Sequence, residues 1–470
     1  MIQAVEYWTG RRKELLPHEQ GSIFKVDVDL KAALCFPNSY YVGMSNLGFH
    51  TAYWYFNLPE NVKAERAFFE GRTRPLSLES GRPLNLFDIV GFSINFELDY
   101  LNILQMLQSA KIPPLSKDRK EEHPIIFIGG FITYFNIKPL LPFIDFAFLG
   151  DSEDLFDEVL KRLVHWRRAG QRKESLLESL SDIEGIFVPR FPGKLKVQQA
   201  RDLDSFETVS RIITPYTEFK NMFLIEIARG CFHKCSFCVS GHVYEGARTR
   251  SVSQVIQSCE KGLKITNRIG FIASAPSDYP EIDILCDFLD RAGAKVSFSS
   301  LRANSIKKSL LSLLVKSGQR TLTLAPETGG ERLRFDINKK IDNDTFFKVI
   351  NMAKNLGIKK IKLYMMFGLP NEEEFDLKQT IEFIKDVSNI LPVKVSLTPF
   401  IPKPRTPFEK YEIDDKKKIR DKILFLRNSI SRFRRVKIAF DGVKTAHRQA
   451  LFAKGDESVL YDEAKKHNII

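Results

Sequence analysis

The stretch IARGCFHKCSFCVSG, from Ile227 to Gly241, places Cys231, Cys235 and Cys238 within eight residues. It overlaps the end of the apolar run FLIEIA, which is typical of a buried strand. Three thiols at this spacing admit three interpretations: a fragment of a zinc site, a redox pair with a third cysteine, or three ligands of an iron–sulfur cluster. The choice between them decides which fold and which chemistry the rest of the chain should have.

The iron–sulfur interpretation fits the spacing best. Structural zinc takes four protein ligands, usually from two cysteine pairs well apart in the sequence. This sequence has no second pair, and His233 and His242 are poorly placed to complete a tetrahedron. A thioredoxin-like pair would need only Cys235 and Cys238. Three thiolates on one loop can instead bind three irons of a [4Fe–4S] cluster and leave the fourth iron open for a cofactor or substrate.

Strand and helix patterns alternate along the second part of the chain. Helices are predicted at 252–263, 306–316 and 373–390, between the strand candidates. Six strand–helix repeats indicate an α/β domain over 222–410, a partial (β/α)6 barrel of TIM type, with its active site at the carboxyl ends of the strands. The cysteine cluster follows the first strand on that side. The strand candidates are FLIEIA, RIGFIAS, AKVSFSS, RTLTLAP, IKLYMMFG and VKVSLTPF.

The first part of the chain, residues 1–169, predicts a Rossmann-like domain. Its strand candidates KAALCF, FDIVGFSI, PIIFIGG and IDFAFLG are continuous apolar runs, which indicate a parallel sheet covered on both faces. Helices are predicted at 43–56 and 98–110. Residues 170–221 are interpreted as a linker segment. Residues 411–470 are interpreted as a small, mostly helical C-terminal extension, in which VKIAF is the lone strand candidate.

Composition places the chain among globular proteins. Of its 470 residues, 43% are hydrophobic and 27% charged, which excludes a disordered protein. No run approaches the roughly 20 apolar residues that span a bilayer, and the N-terminus lacks the order of a signal peptide. We therefore expect a cytoplasmic protein without a transmembrane segment. The scattered Cys35, Cys259 and Cys286 are expected to be buried small hydrophobes rather than disulfide partners.

The net charge of +13 is compatible with a nucleic-acid partner. The basic residues are dispersed, however, with modest runs at KKKIRDK and RFRRVK. Solvated helix faces explain such runs more often than a binding surface does. Nucleic acid is therefore the less favoured interpretation.

The CxxxCxxC spacing, the preceding RG and the aromatic Phe237 resemble the signature of radical S-adenosylmethionine (SAM) enzymes. The resemblance implies that Cys231, Cys235 and Cys238 hold a [4Fe–4S] cluster whose open iron binds SAM. It also implies reductive cleavage of SAM to a 5′-deoxyadenosyl radical for C–H functionalisation. A one-electron donor such as flavodoxin or ferredoxin would then be required. The sequence identifies neither the substrate nor a catalytic side chain.

Further motifs resemble the SAM-binding elements of that family. ASAPSDYP falls where the family contacts the SAM amino group. SFSSLRANS and TLAPETGGERLR match the segments that approach the ribose and carboxylate, and YMMFGLPNEEE matches the segment that packs against adenine. A salt bridge between Arg302 and Glu327 without ligand contact is the alternative for those two residues. The residues carried over from the resemblance are Ser274, Ser277, Asp278, Ser299, Arg302, Glu327 and Gly368.

The first part resembles the cobalamin-binding domain that precedes the barrel in one branch of these enzymes. Stretches such as YVGMSNLG, PLSLES and FDIVGFS are also similar to uncharacterised bacterial proteins of that branch. The DxHxxG motif, whose His binds cobalt, is missing, and we expect His50 to be a partly buried helix residue. Two alternatives follow: cobalamin binding without a protein axial ligand, which we favour, or a substrate-binding scaffold.

Three functions remain open on the sequence. The first is a radical SAM enzyme, with cobalamin-dependent methyl transfer as one form of its reaction. The second is an RNA-modifying enzyme of methylthiotransferase type, which the resemblance associates with three more cysteines in the front part, where this chain has only Cys35. The third is a non-catalytic iron–sulfur redox or sensor protein.

Overall fold

The computed structural model describes residues 2–71, 73–193, 195–299 and 301–470. The chain divides into two compact units. Unit 1 contains the residues up to Arg201, together with Ser205–Met222 and Gly455–Ile470, and unit 2 contains Asp202–Asp204 and Phe223–Lys454. Most of the segment interpreted as a linker therefore lies in unit 1. The segment interpreted as a C-terminal extension is shared between the units.

The bounds of the regular elements follow the chain order. The strands are β1 (Leu30–Phe36), β2 (Val62–Phe68), β3 (Ile89–Ser93), β4 (Ile125–Gly129), β5 (Phe146–Phe148), β6 (Ile186–Phe187), β7 (Phe223–Glu226), β8 (Ala228–Arg229), β9 (Arg248–Thr249), β10 (Arg268–Ile272), β11 (Lys295–Phe298), β12 (Thr321–Glu327), β13 (Lys360–Phe367), β14 (Val393–Pro399) and β15 (Val436–Phe440). The helices are α1 (Ile2–Leu15), α2 (Tyr40–Gly43), α3 (Leu47–Asn57), α4 (Tyr100–Ser109), α5 (Phe156–Ala169), α6 (Lys173–Ser181), α7 (Val252–Leu263), α8 (Ile282–Arg291), α9 (Lys308–Lys316), α10 (Glu331–Asp336), α11 (Asn343–Leu356), α12 (Glu374–Ile390), α13 (Lys416–Ile430), α14 (Val443–Lys454) and α15 (Glu457–Lys466).

Unit 1 is built on a sheet with the strand order β2-β1-β3-β4-β5-β6. The pairs from β2 to β5 are parallel and β6 is antiparallel to β5. The four strands predicted from apolar runs are β1, β3, β4 and β5. The helix predicted at 43–56 is interrupted, because Asn46 caps a new helix by accepting a hydrogen bond from the backbone N of Phe49 at 2.9 Å. That part of the prediction is wrong.

Strand β2 was not predicted from the sequence, because charged residues interrupt its apolar pattern. Its Arg66 is fully buried and pairs with two buried carboxylates. The guanidinium binds Glu19 through both Nη atoms, at 2.8 and 2.6 Å, and Glu79 through Nε at 2.7 Å. Glu19 comes from the segment after α1, so this ion triad ties the N-terminal segment to an edge strand of the sheet.

Unit 2 contains two parallel sheets and a short two-stranded antiparallel pair. The sheets have the orders β11-β10-β7 and β12-β13-β14-β15, and β8 pairs with β9 in antiparallel fashion. A single parallel bridge between Leu301 and Leu324 connects the segment after β11 to β12. The six strands predicted for this part are all present in the described residues, as β7 and β10–β14.

The candidate strand VKIAF is β15, which pairs in register with β14 from Val436 to Phe440. The predicted C-terminal extension therefore contributes α13, β15 and α14 to unit 2, whereas α15 lies in unit 1. The α/β class with parallel sheets is confirmed, and the Rossmann-like and partial-barrel arrangements stay predictions. Among the described residues, none of the helices has the length and apolarity that crossing a membrane requires.

We predict that Arg66→Met destabilises unit 1 by about 3–5 kcal/mol, because it leaves two buried carboxylates without their cation. All three tryptophans, Trp8, Trp54 and Trp166, lie in unit 1, so tryptophan fluorescence during urea unfolding of the full chain reports this unit. Lys161→Met is the control. It removes an exposed pair with Asp157 and should cost less than about 1 kcal/mol. Equal effects of the two variants would contradict a structural role for the triad.

Candidate functional site

The three clustered cysteines lie on a tight loop that follows β8. Two glycines allow its path. Gly230 has φ +84°, and a Cβ atom there would lie 2.5 Å from the carbonyl oxygen of Gly246. A Cβ atom at Gly241 would lie 2.3 Å from the carbonyl oxygen of His233. A side chain at either position would clash with these carbonyl oxygens. The observed path of the loop therefore requires glycine at both positions.

The thiols influence one another electrostatically. Burial raises the pKa of Cys238, and the nearby Cys235 and Cys231 raise it further. Burial also raises the pKa of Cys231. Such thiols keep their protons until a metal displaces them. In the described part of the chain, no three His, Cys, Asp or Glu side chains converge on a point where one metal ion could bind.

This geometry fits an iron–sulfur cluster better than zinc. A zinc ion needs its ligands to meet at a single atom, whereas each thiolate of a [4Fe–4S] cluster binds a different iron. Three neighbouring thiols on one loop, with no group of three or more ligands converging on one point among the described residues, therefore suit the cluster better than a structural zinc site. The residues present fit the group that the sequence predicts.

The remaining cysteines lie elsewhere, each in a regular element. Cys35 is in β1, Cys259 in α7 and Cys286 in α8, and all three are buried. Burial raises the pKa of Cys259 and of Cys286 to about 12. None of the six cysteines, which all lie in the described residues, forms a disulfide. The prediction that the scattered cysteines are buried small hydrophobes is confirmed.

A segment after α10 holds the cysteine loop from one side. The backbone N of Ser236 donates to the carbonyl oxygen of Ile337 at 2.9 Å, and Asn338 Nδ2 donates to that of Lys234 at 2.6 Å. Asn338 has φ +57°, a conformation that asparagine tolerates better than most residues. Sequence reasoning missed this segment, INKK, and its asparagine was the only signal.

Aromatic packing holds the same loop. Phe237, which lies between two cysteines, packs against a small buried cluster. The backbone N of Phe408 also donates to the carbonyl oxygen of Ser236 at 3.2 Å. The loop is thereby fixed to the segments that follow β13 and β14. The members of the cluster are Leu333, Ile337, Leu369, Phe400 and Phe408.

A polar pair joins the cysteine loop to the segment after β10. His233 Nε2 lies 2.8 Å from Asp278 Oδ2, with the side chains 27% and 11% exposed. Burial raises the pKa of Asp278, but hydrogen bonds from His233 and Ser305 outweigh it and hold the pKa below its ordinary value. Asp278 was predicted to contact the SAM amino group; in the structure its carboxylate already binds His233.

Further hydrogen bonds connect the segment around Asp278 to the thiol of Cys235. Ser305 Oγ donates to Ser277 Oγ at 2.8 Å, and Ser277 Oγ accepts from the backbone N of Arg302 at 3.0 Å. The Arg302 guanidinium reaches Cys235, with Nη1 3.9 Å from Sγ. Predicted residues from two separate motifs, Ser277 and Arg302, thus lie together beside the thiols.

Glu327 and Arg302 do not form the salt bridge considered from the sequence. Glu327 Oε1 instead pairs with Lys339 Nζ at 2.8 Å, and Arg302 Nη2 donates to the carbonyl oxygen of Lys339. Glu327 has φ +69°, the left-handed region, so its backbone is strained at the end of β12. Lys339, which sequence reasoning missed, is buried and connects the two residues.

The other predicted residues lie at strand ends of unit 2. Ser274 and Ser299 are exposed, and Ser299 Oγ donates to the carbonyl oxygen of Ala273 at 3.1 Å. Gly368 has φ +75°, and its backbone N donates to Glu372 Oε1 at 2.8 Å. Hydrogen bonds and ion pairs join Ser277, Asp278, Arg302 and Glu327 into one network with the thiols. They do not include Ser274, Ser299 or Gly368.

In unit 1, His50 is more deeply buried than predicted, at 3% exposure. Its Nε2 lies 3.0 Å from the carbonyl oxygen of Met44, and Nδ1 accepts from the backbone N of Arg211 at 3.3 Å. Burial lowers the pKa of His50 to about 4. Both ring nitrogens have backbone partners, which agrees with the expectation that His50 is a packing residue and not a metal ligand.

Acidic side chains lie at the carboxyl ends of the unit 1 strands. Asp99, after β3, accepts from Asn38 Nδ2 at 3.0 Å, and burial raises the pKa of Asp99 to about 6. Asp151, after β5, accepts from the hydroxyl of Tyr134 and from the backbone N of Ala200. In parallel sheets this edge is the usual ligand side.

Comparison with known proteins gives two family matches. Residues 48–189 match the family described as "Radical SAM proteins, N-terminal", and residues 225–384 match the "Radical SAM superfamily". An uncharacterized protein of the archaeon Methanocaldococcus jannaschii is 29% identical over 91% of this chain and 89% of its own length. The ribosomal protein uS12 methylthiotransferase of a Hydrogenobaculum species is 22% identical over 45% of this chain and 59% of its own length.

Two solved structures are similar in fold. The radical SAM methyltransferase TsrM from Kitasatospora setae has a TM-score of 0.51 at 13% identity, over 80% of this chain and 74% of its own. The cobalamin-dependent radical SAM enzyme OxsB, with aqua-cobalamin and SAM bound, has a TM-score of 0.53 at 17% identity. This match covers 86% of this chain and 56% of OxsB. Both likenesses concern the fold alone.

We predict that His233→Ala loosens the cysteine loop, because it removes a charge-assisted hydrogen bond to Asp278 worth about 1.5–3 kcal/mol. Amide hydrogen exchange at residues 235–243 should then quicken by roughly tenfold or more. His233→Gln, which can still donate to Asp278, should restore most of the protection. Asp283→Asn is the control, since it removes an exposed pair with Lys307 in the same unit. Unchanged exchange in His233→Ala would show that the pair does not position the loop.

Proposed function

Since the chain belongs to the radical SAM superfamily and is an enzyme, we propose that it cleaves SAM reductively to functionalise a C–H bond. The observation that carries this proposal is the loop of three neighbouring thiols connected through Arg302 and Ser277 to the segments predicted to bind SAM. The loop supplies three cluster ligands, and the polar network lies directly beside it.

Cys231, Cys235 and Cys238 would hold the cluster. When bound, the cluster supplies the electron that cleaves SAM to methionine and a 5′-deoxyadenosyl radical. Cys235 is only 6% exposed, whereas Cys231 and Cys238 are half-buried, so the loop itself shields only the first of these thiols from water, and a radical reaction depends on such exclusion.

The cationic groups beside the thiols would orient the SAM carboxylate. Arg302 lies 3.9 Å from Cys235 through its Nη1, and we propose it as the main carboxylate partner because a guanidinium binds carboxylates in a fork. Lys339 is buried next to it and already neutralises Glu327. Ser274, Ser299, Glu327 and the backbone of Gly368 remain proposed contacts for the amino group, ribose and adenine.

We propose cobalamin as a further cofactor, held by unit 1 at the carboxyl ends of its parallel strands. The fold likeness to OxsB, whose structure contains aqua-cobalamin, supports this. The DxHxxG motif is absent from the chain, and both nitrogens of His50 have backbone partners. Any cobalamin would therefore bind without His50 as its axial ligand. The reaction would then be methyl transfer.

A methylthiotransferase-type RNA modification is the second candidate, and the partial match to the Hydrogenobaculum methylthiotransferase favours it. Against it, the front part carries one cysteine, Cys35, which is buried within β1. A second cluster has no ligands there. A non-catalytic redox or sensor protein has no such support, because it would have no use for the residues that we propose to bind SAM.

The electron donor that we propose is a one-electron carrier such as flavodoxin or ferredoxin, which the cleavage of SAM requires. The proposed compartment is the reducing cytoplasm, where free thiols persist. All six cysteines are free in the structure, as such a compartment requires.

The test is SAM cleavage by anaerobically reconstituted protein with dithionite. We predict 5′-deoxyadenosine, and S-adenosylhomocysteine in addition when methylcobalamin formation is possible. Cys235→Ser should abolish both products and lower bound iron, whereas Cys259→Ser, remote in α7, should leave both unchanged. An intact cluster that yields neither product, with or without cobalamin, would contradict the proposed function.

A further inference from the structure

One face of the second sheet of unit 2 is open. Along β13 and β14, buried residues alternate with exposed or half-buried ones, so one face packs in the core while the other keeps side chains that solvent reaches. Strand β15 continues the pattern with exposed residues at every second position. Met366, near the end of β13, packs against the cluster that also contacts Phe237. The exposed or half-buried side chains on this face of the three strands are Lys360, Lys362, Tyr364, Met366, Lys394, Ser396, Thr398, Lys437 and Ala439.

Three lysines of this face stand side by side. Lys362 in β13 is in register with Lys394 in β14, and Lys394 is in register with Lys437 in β15. Neighbouring strands lie about 4.8 Å apart, so the row spans about 10 Å. We call these three residues the lysine row. Lys394 and Lys437 are exposed and Lys362 is half-buried.

The lysine row has no counter-charge of its own. The open face of β13, β14 and β15 carries no Asp or Glu, and within the described residues none of the three ammonium groups forms an ion pair. Like charges directly opposite each other on adjacent strands destabilise a sheet. The arrangement is therefore costly in the free protein and becomes favourable when an anion is bound.

An aromatic side chain completes the surface. Tyr364 lies two residues beyond Lys362 on the same face and is 38% exposed. Lys362 Nζ lies 4.5 Å from the centre of the Tyr364 ring and donates to its hydroxyl. Ammonium groups next to an accessible ring suit a ligand that carries both phosphates and a planar group.

We propose that the lysine row binds the phosphoryl groups of a phosphorylated substrate. This rests on the proposed function, because it gives that function a substrate class. From Lys362 to the end of β13 at Phe367 the strand extends about 17 Å. The carboxyl ends of these strands lead to Gly368 and to Phe400, which packs in the same cluster as Phe237 of the cysteine loop. A ligand anchored on the lysine row would extend along the sheet towards that end.

The row differs from the other basic runs in where it lies. Lys416, Lys417 and Lys418 are consecutive and exposed in the first turn of α13, so they point in different directions around a helix. The lysine row instead presents three ammonium groups along one line of a sheet. The α13 run carries the same charge without this geometry and gives a matched control.

The experiment is calorimetric binding of tripolyphosphate to the full chain, without reductant or SAM, at low and moderate salt. The test variant changes Lys362, Lys394 and Lys437 to Met, and the control variant changes Lys416, Lys417 and Lys418 to Met. We expect the test variant to bind at least tenfold more weakly than the wild type, and the control to change less than twofold. Equal weakening in both variants, or no binding to the wild type, would overturn the proposal.

A second arm identifies the source of the phosphates. A ten-nucleotide single-stranded RNA replaces tripolyphosphate at equal phosphate concentration. Tighter binding of RNA that the row variant loses would assign the site to a nucleic-acid substrate, and tighter binding of tripolyphosphate would assign it to a small phosphorylated one. RNA binding that both variants lose equally would contradict a specific role for the row.

Circular dichroism and the unfolding midpoint of Lys394→Met alone check folding. Because no cluster is reduced in either arm, failure of SAM cleavage would leave these results unaffected.

Discussion

The chemistry that we propose for unit 2 depends on keeping three thiols together on one short loop. Burial raises the pKa values of Cys231 and Cys238, so binding of a cluster has to displace protons from these two thiols. Nothing in the thiols themselves holds the loop closed. Gly230 and Gly241 permit the path of the loop. Contacts with the segments after α10, β10 and β14 hold the loop in place.

These supports explain why residues from distant motifs meet at one place. The carboxyl ends of parallel strands share an edge, and the supports after β10 and β14 are loops at such ends. His233 reaches Asp278 after β10, and Arg302 after β11 reaches Cys235. Because Asp278 and Arg302 both contact the loop, the residues that bind SAM in our proposal would also position the cluster ligands. Binding of the two cofactors should therefore be coupled.

The sequence predicted most of this arrangement because its signals are local. Cysteine spacing identified the loop, and apolar runs identified the parallel strands of the three main sheets except β2. That strand was missed because Glu65 and Arg66 are charged yet buried, and because Glu19, the partner of Arg66, is distant in the sequence. Lys339 and Asn338 were missed for a similar reason, since their contacts with Glu327 and Lys234 form only after folding. The lysine row could not be predicted either, because register between strands is set by tertiary packing.

Whether the three thiols hold a cluster with one open iron is tested by Mössbauer spectroscopy of the anaerobically reconstituted, ⁵⁷Fe-labelled chain before and after addition of SAM. We predict a [4Fe–4S] spectrum in which one iron changes its isomer shift when SAM is added, since three thiolates leave one iron without a protein ligand. The other three irons should keep their parameters. A cluster whose irons all ignore SAM, or a chain that binds zinc in place of iron and sulfide, would contradict this prediction.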